Sequence, residues 1–252
     1  MEDDWQPSLR SENKFKSMKS SVFNCVHKDT KGQKLPHITK TTRKADMDRP
    51  QHIYIVGAQS TGKTTLVQGL QVSFSRNTNI PQPQIIEEVA RNILLTQNFV
   101  ATDLATSPFR ALELQQVILK AQFVAEQKAL INGTWFISDR SAVDAIVYTR
   151  KFVSEDGVDH LLMSAEWRDC RERMEKATVV VCEPVMEWLV DDGVRLLPSS
   201  RAAWMEVHEL FCKTLDDLNL KYILLPSILR NVNERVEFVL KRWELLNDAS
   251  II

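Results

Sequence analysis

Between His52 and Pro226 the chain repeats one alternation: a short, almost wholly apolar run, then a longer stretch whose apolar positions recur every three or four residues. The apolar runs are HIYIVG (52–57), QIIEE (84–88), TWFISD (134–139), ATVVVCE (177–183) and KYILLP (221–226), and each reads as a strand. The intervening periodicity predicts helices over 63–75, 89–97, 107–131, 141–152, 158–175, 199–218 and 231–246. A strand that is apolar at successive positions is buried on both faces, and helices between such strands supply the cover. The pattern therefore predicts an α/β three-layer sandwich with a five-stranded parallel sheet. Sheets of this kind bind ligands beyond the carboxyl ends of their strands, so chemistry belongs in the residues that follow each run.

Residues 1–49 break the pattern. They hold eleven Lys/Arg against seven Asp/Glu, few large apolar residues and no period, which predicts a flexible basic tail ahead of one domain over 50–247. At 252 residues and 44% hydrophobic content the chain can bury one substantial core. The net charge of −1 gives no electrostatic case for nucleic acid as a partner. Cys25, Cys170, Cys182 and Cys212 are scattered, as reduced thiols are, and form no C-x-x-C pair. The MEDDW start is acidic where a signal or transit peptide is basic, and no run reaches the ~18 apolar residues of a membrane span. The expectation is a soluble cytoplasmic protein, with the nucleus left open.

The first strand runs directly into Gly57-x4-Gly62-Lys63-Thr64, inside IYIVGAQSTGKTTL (53–66). Glycines at this spacing let the backbone curl until successive N–H groups face one anion, and the helix that follows adds its positive dipole end. Gly57, Gln59, Ser60, Thr61, Gly62 and Thr65 then cradle phosphates, Lys63 reaches the β and γ groups, and the Thr64 hydroxyl faces Mg²⁺.

The second strand ends in Glu87-Glu88, with Arg91 a helical turn onward. Strand alternation admits one of the two glutamates to a site; Glu88 is the candidate, as base or orienting carboxylate for an attacking hydroxyl, with a helix-capping role as the alternative. The third strand ends in Asp139-Arg140, with Asp144 one turn further. Asp139 suits a metal or its water shell, Arg140 a phosphate and Asp144 or Arg91 a substrate; Asp139 could instead cap the next helix. In DDGVRLLPSSR (191–201), Arg195 and Arg201 flank a turn and helix start, either as a phosphate clamp or as solvated residues. Along 107–131, Gln115, Gln122 and Glu126 share one polar stripe, which could read a small molecule or simply border the core. Phe109 and Arg110 could meet a substrate ring at the start of the same helix.

No N-K-x-D is present to read guanine, no D-x-x-G follows the second strand, and no LSGGQ-like segment marks a transporter ATPase. The remaining parts are those that a small-molecule kinase needs. In order, IVGAQSTGKTTL, EEVAR, ISDRSAVDAIVY and DDGVR resemble the P-loop kinase domain of the NadR type, which includes ribosylnicotinamide kinases and an AAA-type branch in fungi and animals. More distantly, Asp139-Arg140-Ser141 is similar to a motif of deoxynucleoside kinases. The resemblance spans roughly 51–246 and implies a P-loop NTPase sheet of the nucleoside-kinase kind, with ATP and Mg²⁺ as cofactors and transfer of the ATP γ-phosphate to a hydroxyl of a nucleoside-like, ribose-bearing acceptor. It also implies Asp139 and Arg140 in the active site and Arg195 in a lid. Some animal relatives are associated with nucleotide and phosphoinositide binding, which implies the alternative, a nucleotide-dependent regulatory module.

Overall fold

The structure is a computed structural model and describes residues 50–97, 99, 103–131, 135–188 and 200–249. Its five strands are β1 (Ile53–Val56), β2 (Gln84–Ile86), β3 (Phe136–Asp139), β4 (Thr178–Cys182) and β5 (Ile223–Leu225). They form one parallel sheet in the order β2-β3-β1-β4-β5, so the three-layer α/β expectation holds. β1, β3 and β4 are buried at every position, as their unbroken apolar runs require.

Alternation along these strands sorts two cores. Tyr54, Val56, Phe136, Val179 and Val181 face one helical layer. Ile53, Ile55, Ile137, Val180, Cys182 and Leu225 face the other. The second layer is α1 (Lys63–Ser75) and, at the far end of the chain, α9 (Val232–Ala249). The first holds α2 (Val89–Thr96), α3 (Asp103–Thr106), α4 (Pro108–Ile131), α5 (Ala142–Phe152), α6 (Glu155–Leu162), α7 (Ala165–Glu175) and α8 (Arg201–Asp217). Among the described residues no helix is long and apolar enough to cross a membrane.

Serine punctuates the first layer. Ser141, Ser154, Ser164 and Ser200 each accept a hydrogen bond from a first-turn N–H, opening α5, α6, α7 and α8. Ser164 corrects one expectation. The single helix expected over 158–175 is two, because Ser164 adopts extended backbone and starts α7 afresh on the Trp167 N–H. The short α3 was not legible in the pattern either.

Candidate active site

The loop after β1 takes the shape its glycines allow. Gly57 has φ 129°, and a Cβ there would stand 2.8 Å from the Cys182 carbonyl oxygen of β4. Gly62 has φ 75°, and its Cβ would stand 2.7 Å from the Trp188 ring. Side chains are thus excluded both by conformation and by space. Ser60 also holds positive φ, at 56°. The Thr61 hydroxyl donates to the Ala58 carbonyl at 2.9 Å, and the Lys63 ammonium donates to the same carbonyl and to the Thr61 hydroxyl. Lys63 is buried, and burial first, then the Arg140 charge, lowers its pKa to about 8.

The neighbouring strand ends deliver the acids. Asp139 is the last residue of β3; its Oδ2 accepts a short hydrogen bond from the Thr64 hydroxyl, while its buried Oδ1 has no hydrogen-bond partner among the described residues. It does not cap α5, since Ser141 does. One carboxylate with an open oxygen beside one hydroxyl is the sparse protein set that Mg²⁺ uses together with phosphate and water, so Thr64 and Asp139 fit that ion.

Arg140 sits at φ 81°, held there by its N–H donating to the Ile55 carbonyl at 2.9 Å. This sparsely populated backbone aims its guanidinium between two carboxylates. Nε donates to Glu88 at 2.6 Å and Nη1 to Asp144 at 2.7 Å, with all three side chains at least nine-tenths buried. Burial opposes the Arg140 charge, but Glu88 and Asp144 more than offset it. Burial also raises the Asp144 pKa against the pull of Arg140. Asp144 closes a capping box as well, its Oδ2 accepting from the Ser141 N–H at 2.9 Å, so both of its oxygens are engaged.

Glu88 is turned inward as expected, though for a different reason. β2 ends at Ile86, so strand alternation does not choose between the glutamates; Glu88 occupies the N-cap position of α2 with φ −58° and ψ 97°. Its side chain makes no capping bond and pairs with Arg140, while Glu87 is exposed.

Three cavities meet here. The smallest, about 70 Å³, is lined by Gln59, Glu88, Gln115, Arg140, Asp144 and Tyr148 beside an apolar wall from α2, α3 and α4. A second, about 490 Å³, lies along Ser60–Leu66. The largest, about 890 Å³, follows the sheet edge at β2 and reaches Thr64, Glu88 and Asp139. Arg91 lines the second and third and not the smallest, which separates it from Gln115 and Asp144. Arg201 opens α8 as an exposed residue and lines none of the three. Arg195, with Asp191 to Gly193, lies outside the described residues.

The polar stripe of α4 divides. Gln115 lines the small cavity, whereas Gln122 donates to Glu126 at 2.9 Å and to Ser138 at 3.0 Å. Glu126 accepts from Tyr54 and Arg173 at 3.0 and 2.7 Å, so these two residues hold the core together rather than read a ligand. Phe109 is 77% exposed and Arg110 pairs with Glu113.

Several residues at the site escaped the sequence reading. Tyr148 donates to Gln59 at 3.4 Å, and its spacing four beyond Asp144 and eight beyond Arg140 was the available signal. Trp204 of α8 donates to the Gln59 carbonyl at 2.8 Å, and Arg235 of α9 donates to the Thr61 carbonyl at 3.0 Å. Neither has a local sequence signal.

The structure is similar to that of NadR in complex with NR, at 20% identity and TM-score 0.59, over 78% of this chain and 52% of that one. It is also similar to NadR in complex with NAD and AMP-PNP, at 18% identity and TM-score 0.57, over 78% of this chain and 50% of that one. The chain thus spans about half the length of the NadR proteins it matches. Deoxyadenosine kinase from M. mycoides with bound dATP matches at 13% identity and TM-score 0.54, over 77% of this chain and 99% of that one. No curated protein matches the sequence. These likenesses show the fold alone, a three-layer α/β fold with a five-stranded parallel sheet and a P-loop. The sequence itself matches the AAA domain over residues 52–235, and the chain belongs to that family.

Proposed function

We propose that this protein is an ATP-dependent kinase that phosphorylates a hydroxyl of a small, nucleoside-like acceptor. The observation that carries this reading is the buried Glu88–Arg140–Asp144 cluster, set beside Lys63 and the Thr64–Asp139 pair. A switch or motor needs a water held near the γ-phosphate; a carboxylate and a guanidinium beside an apolar wall suit an organic hydroxyl instead.

Gly57 to Thr65 hold the donor phosphates by backbone N–H groups. Lys63 places its charge on the group being transferred. Thr64 and Asp139 would hold Mg²⁺, which would supply positive charge against the donor phosphates. Glu88 orients the acceptor hydroxyl and takes its proton at one carboxylate oxygen, while Arg140 keeps that carboxylate aimed and offers charge to the moving phosphoryl. Gln115, Asp144 and Tyr148 contact the acceptor body. Arg91 serves the loop side, and Arg195 acts as a further phosphate contact. A cavity of about 70 Å³ holds roughly two waters at the ~30 Å³ share of each. Acceptor entry therefore includes outward movement of α2 and α3 from α4.

A second reading is a nucleotide-dependent binding module without turnover, favoured by the same small cavity and by the tie between Glu88 and Arg140. One experiment separates the two: ATP binding and γ-phosphate transfer to a panel of ribose-bearing compounds, for the wild type and Glu88→Gln. The kinase reading expects transfer to an acceptor that falls roughly 10²–10⁴-fold in the variant while ATP still binds. Tight ATP binding with no transfer to any compound by the wild type selects the second reading.

A further inference from the structure

The cavity of about 890 Å³ runs along a strand edge that pairs with no other strand among the described residues. β2 closes the sheet on that side and is bonded to β3 alone. The Gln84 N–H donates to the Trp135 carbonyl at 2.8 Å, and backbone groups along a strand turn to alternate sides. The N–H and C=O of Ile85 therefore point away from β3, on the side where Ile85 lines the cavity. An open edge of this kind is a template for another strand. β2 is short and follows Pro81 and Pro83, which guards it against a second sheet, but its surroundings suit a single extended chain.

The edge is set back between the two helical layers. Gln68 and Gln71 of α1 line one side, and Leu95 of α2 with Ala125 and Lys128 of α4 line the other. A second copy of the chain would bring its own walls against these, so the recess takes one strand and not a sheet. The side chains of Gln68, Gln71 and Gln84 line it with no hydrogen-bond partner among the described residues. A carboxamide offers one acceptor and N–H donors, which match those of a peptide unit. The opposite wall is apolar, with Leu95 67% exposed beside Ala125. Charge runs along the groove as well. Exposed Glu87 follows β2 at the Asp139 end, whereas exposed Lys128 lies near the close of α4, which leads back to the start of β3. Neither has an ion-pair partner among the described residues.

We propose that this groove binds an extended segment of a partner protein, which adds to the sheet as a strand against Ile85. Main-chain hydrogen bonds to Ile85 and the three carboxamides hold the segment, and alternate side chains select it. One set is polar and faces Gln68 and Gln71; the other is apolar and faces Leu95 and Ala125. A basic residue lies beside Glu87 and an acidic one beside Lys128. The groove also reaches Thr64 and Asp139, so the basic end of the segment sits beside the residues that suit Mg²⁺. The proposal does not depend on which acceptor is phosphorylated, or on whether one is.

The test is display of random peptides about twelve residues long against the full chain, then fluorescence anisotropy with labelled synthetic copies of those enriched. Enriched peptides should share the apolar–polar alternation, with a base toward one end and an acid toward the other. Glu87→Lys, at an exposed position outside the transfer machinery, should weaken them about tenfold, and replacing the peptide's base by an acid should restore most of the loss. Ile85→Pro removes the outward N–H and spares the β3 ladder, so it should weaken them roughly threefold to tenfold. A measurement on the wild type stands beside it, independent of whether that variant folds: hydrogen exchange at the Ile85 amide should slow at least about tenfold in the complex. Enrichment of no peptide above the bare support overturns the proposal, as do peptides that bind Glu87→Lys and the wild type alike. An Ile85 amide that exchanges equally fast with peptide bound also overturns it, since the peptide would then be held elsewhere or by side chains alone.

Discussion

The Lys63 ammonium is buried between its own loop and Arg140, and burial, then that neighbouring charge, brings its pKa from 10.5 to about 8. Between those values the folded protein has released a proton that the unfolded chain still holds. Stability from this group therefore rises with pH across that window, and below it the buried charge is a cost. Bound phosphate reverses the preference, because its negative charge favours the protonated amine. Nucleotide affinity should thus be complete below pH 8 and fall above it, by up to about tenfold per unit, with proton uptake on binding. Calorimetry at pH 7, 8 and 9 in two buffers of different ionisation heat measures both. Lys63→Arg, which stays charged, should flatten the profile. A wild-type affinity constant from pH 7 to 9 would contradict the argument. The same scale explains what was legible at the site. Gly57, Gly62, Lys63 and Thr64 were readable because a positive-φ loop writes itself into sequence as glycines at fixed spacing. Asp139 and Arg140 were readable because strand ends are, whereas Glu88 lies past the end of β2 at the N-cap position of α2, which strand alternation does not describe.

Between elements, legibility depends on whether a position answers to its own helix or to a neighbour. Strand runs and the start of α1 at Lys63 follow from local pattern, and the sheet follows from them. Gln122 and Glu126 share a helical stripe with Gln115, but Tyr54 and Arg173 on other elements decide their role, and no period contains that. Trp188 and Arg235 meet only because the sheet order brings the segment after β4 beside the start of α9. Gly69 is another such position. In mid-helix, local propensity favours alanine by about 1 kcal/mol. A Cβ there would stand 2.7 Å from Cγ2 of Val236 on α9, so the two helices pack through the missing side chain. Overpacking costs about 1–3 kcal/mol, which outweighs the propensity gain. Gly69→Ala should accordingly lower stability by about 1 kcal/mol in urea titration, with the m value unchanged. Because α9 also carries Arg235, the substitution should weaken nucleotide binding as well. A more stable variant would show that the α1–α9 contact yields freely.

Across the whole molecule, the phosphate loop is where separately delivered parts are joined. β3 brings Asp139 to Thr64, α8 ties Gln59 through Trp204, and α9 ties Thr61 through Arg235. Anything bound in the loop is therefore coupled to both helical layers, and its binding energy acts on the global unfolding transition. At about one hundred times Kd a ligand adds ~2.7 kcal/mol. For a chain of this size each kcal/mol moves Tm by roughly 2–4 °C, so MgADP should raise Tm by about 5–10 °C. The metal's share is separable. Asp139→Asn keeps an oxygen for the Thr64 hydroxyl but removes the charge that suits Mg²⁺, so its shift with ADP should be nearly the same in Mg²⁺ as in EDTA. The wild type should show a clearly larger shift in Mg²⁺. Equal wild-type shifts in Mg²⁺ and EDTA, measured by scanning calorimetry, would remove Asp139 and Thr64 from any metal role and leave their hydrogen bond as a brace between β3 and α1.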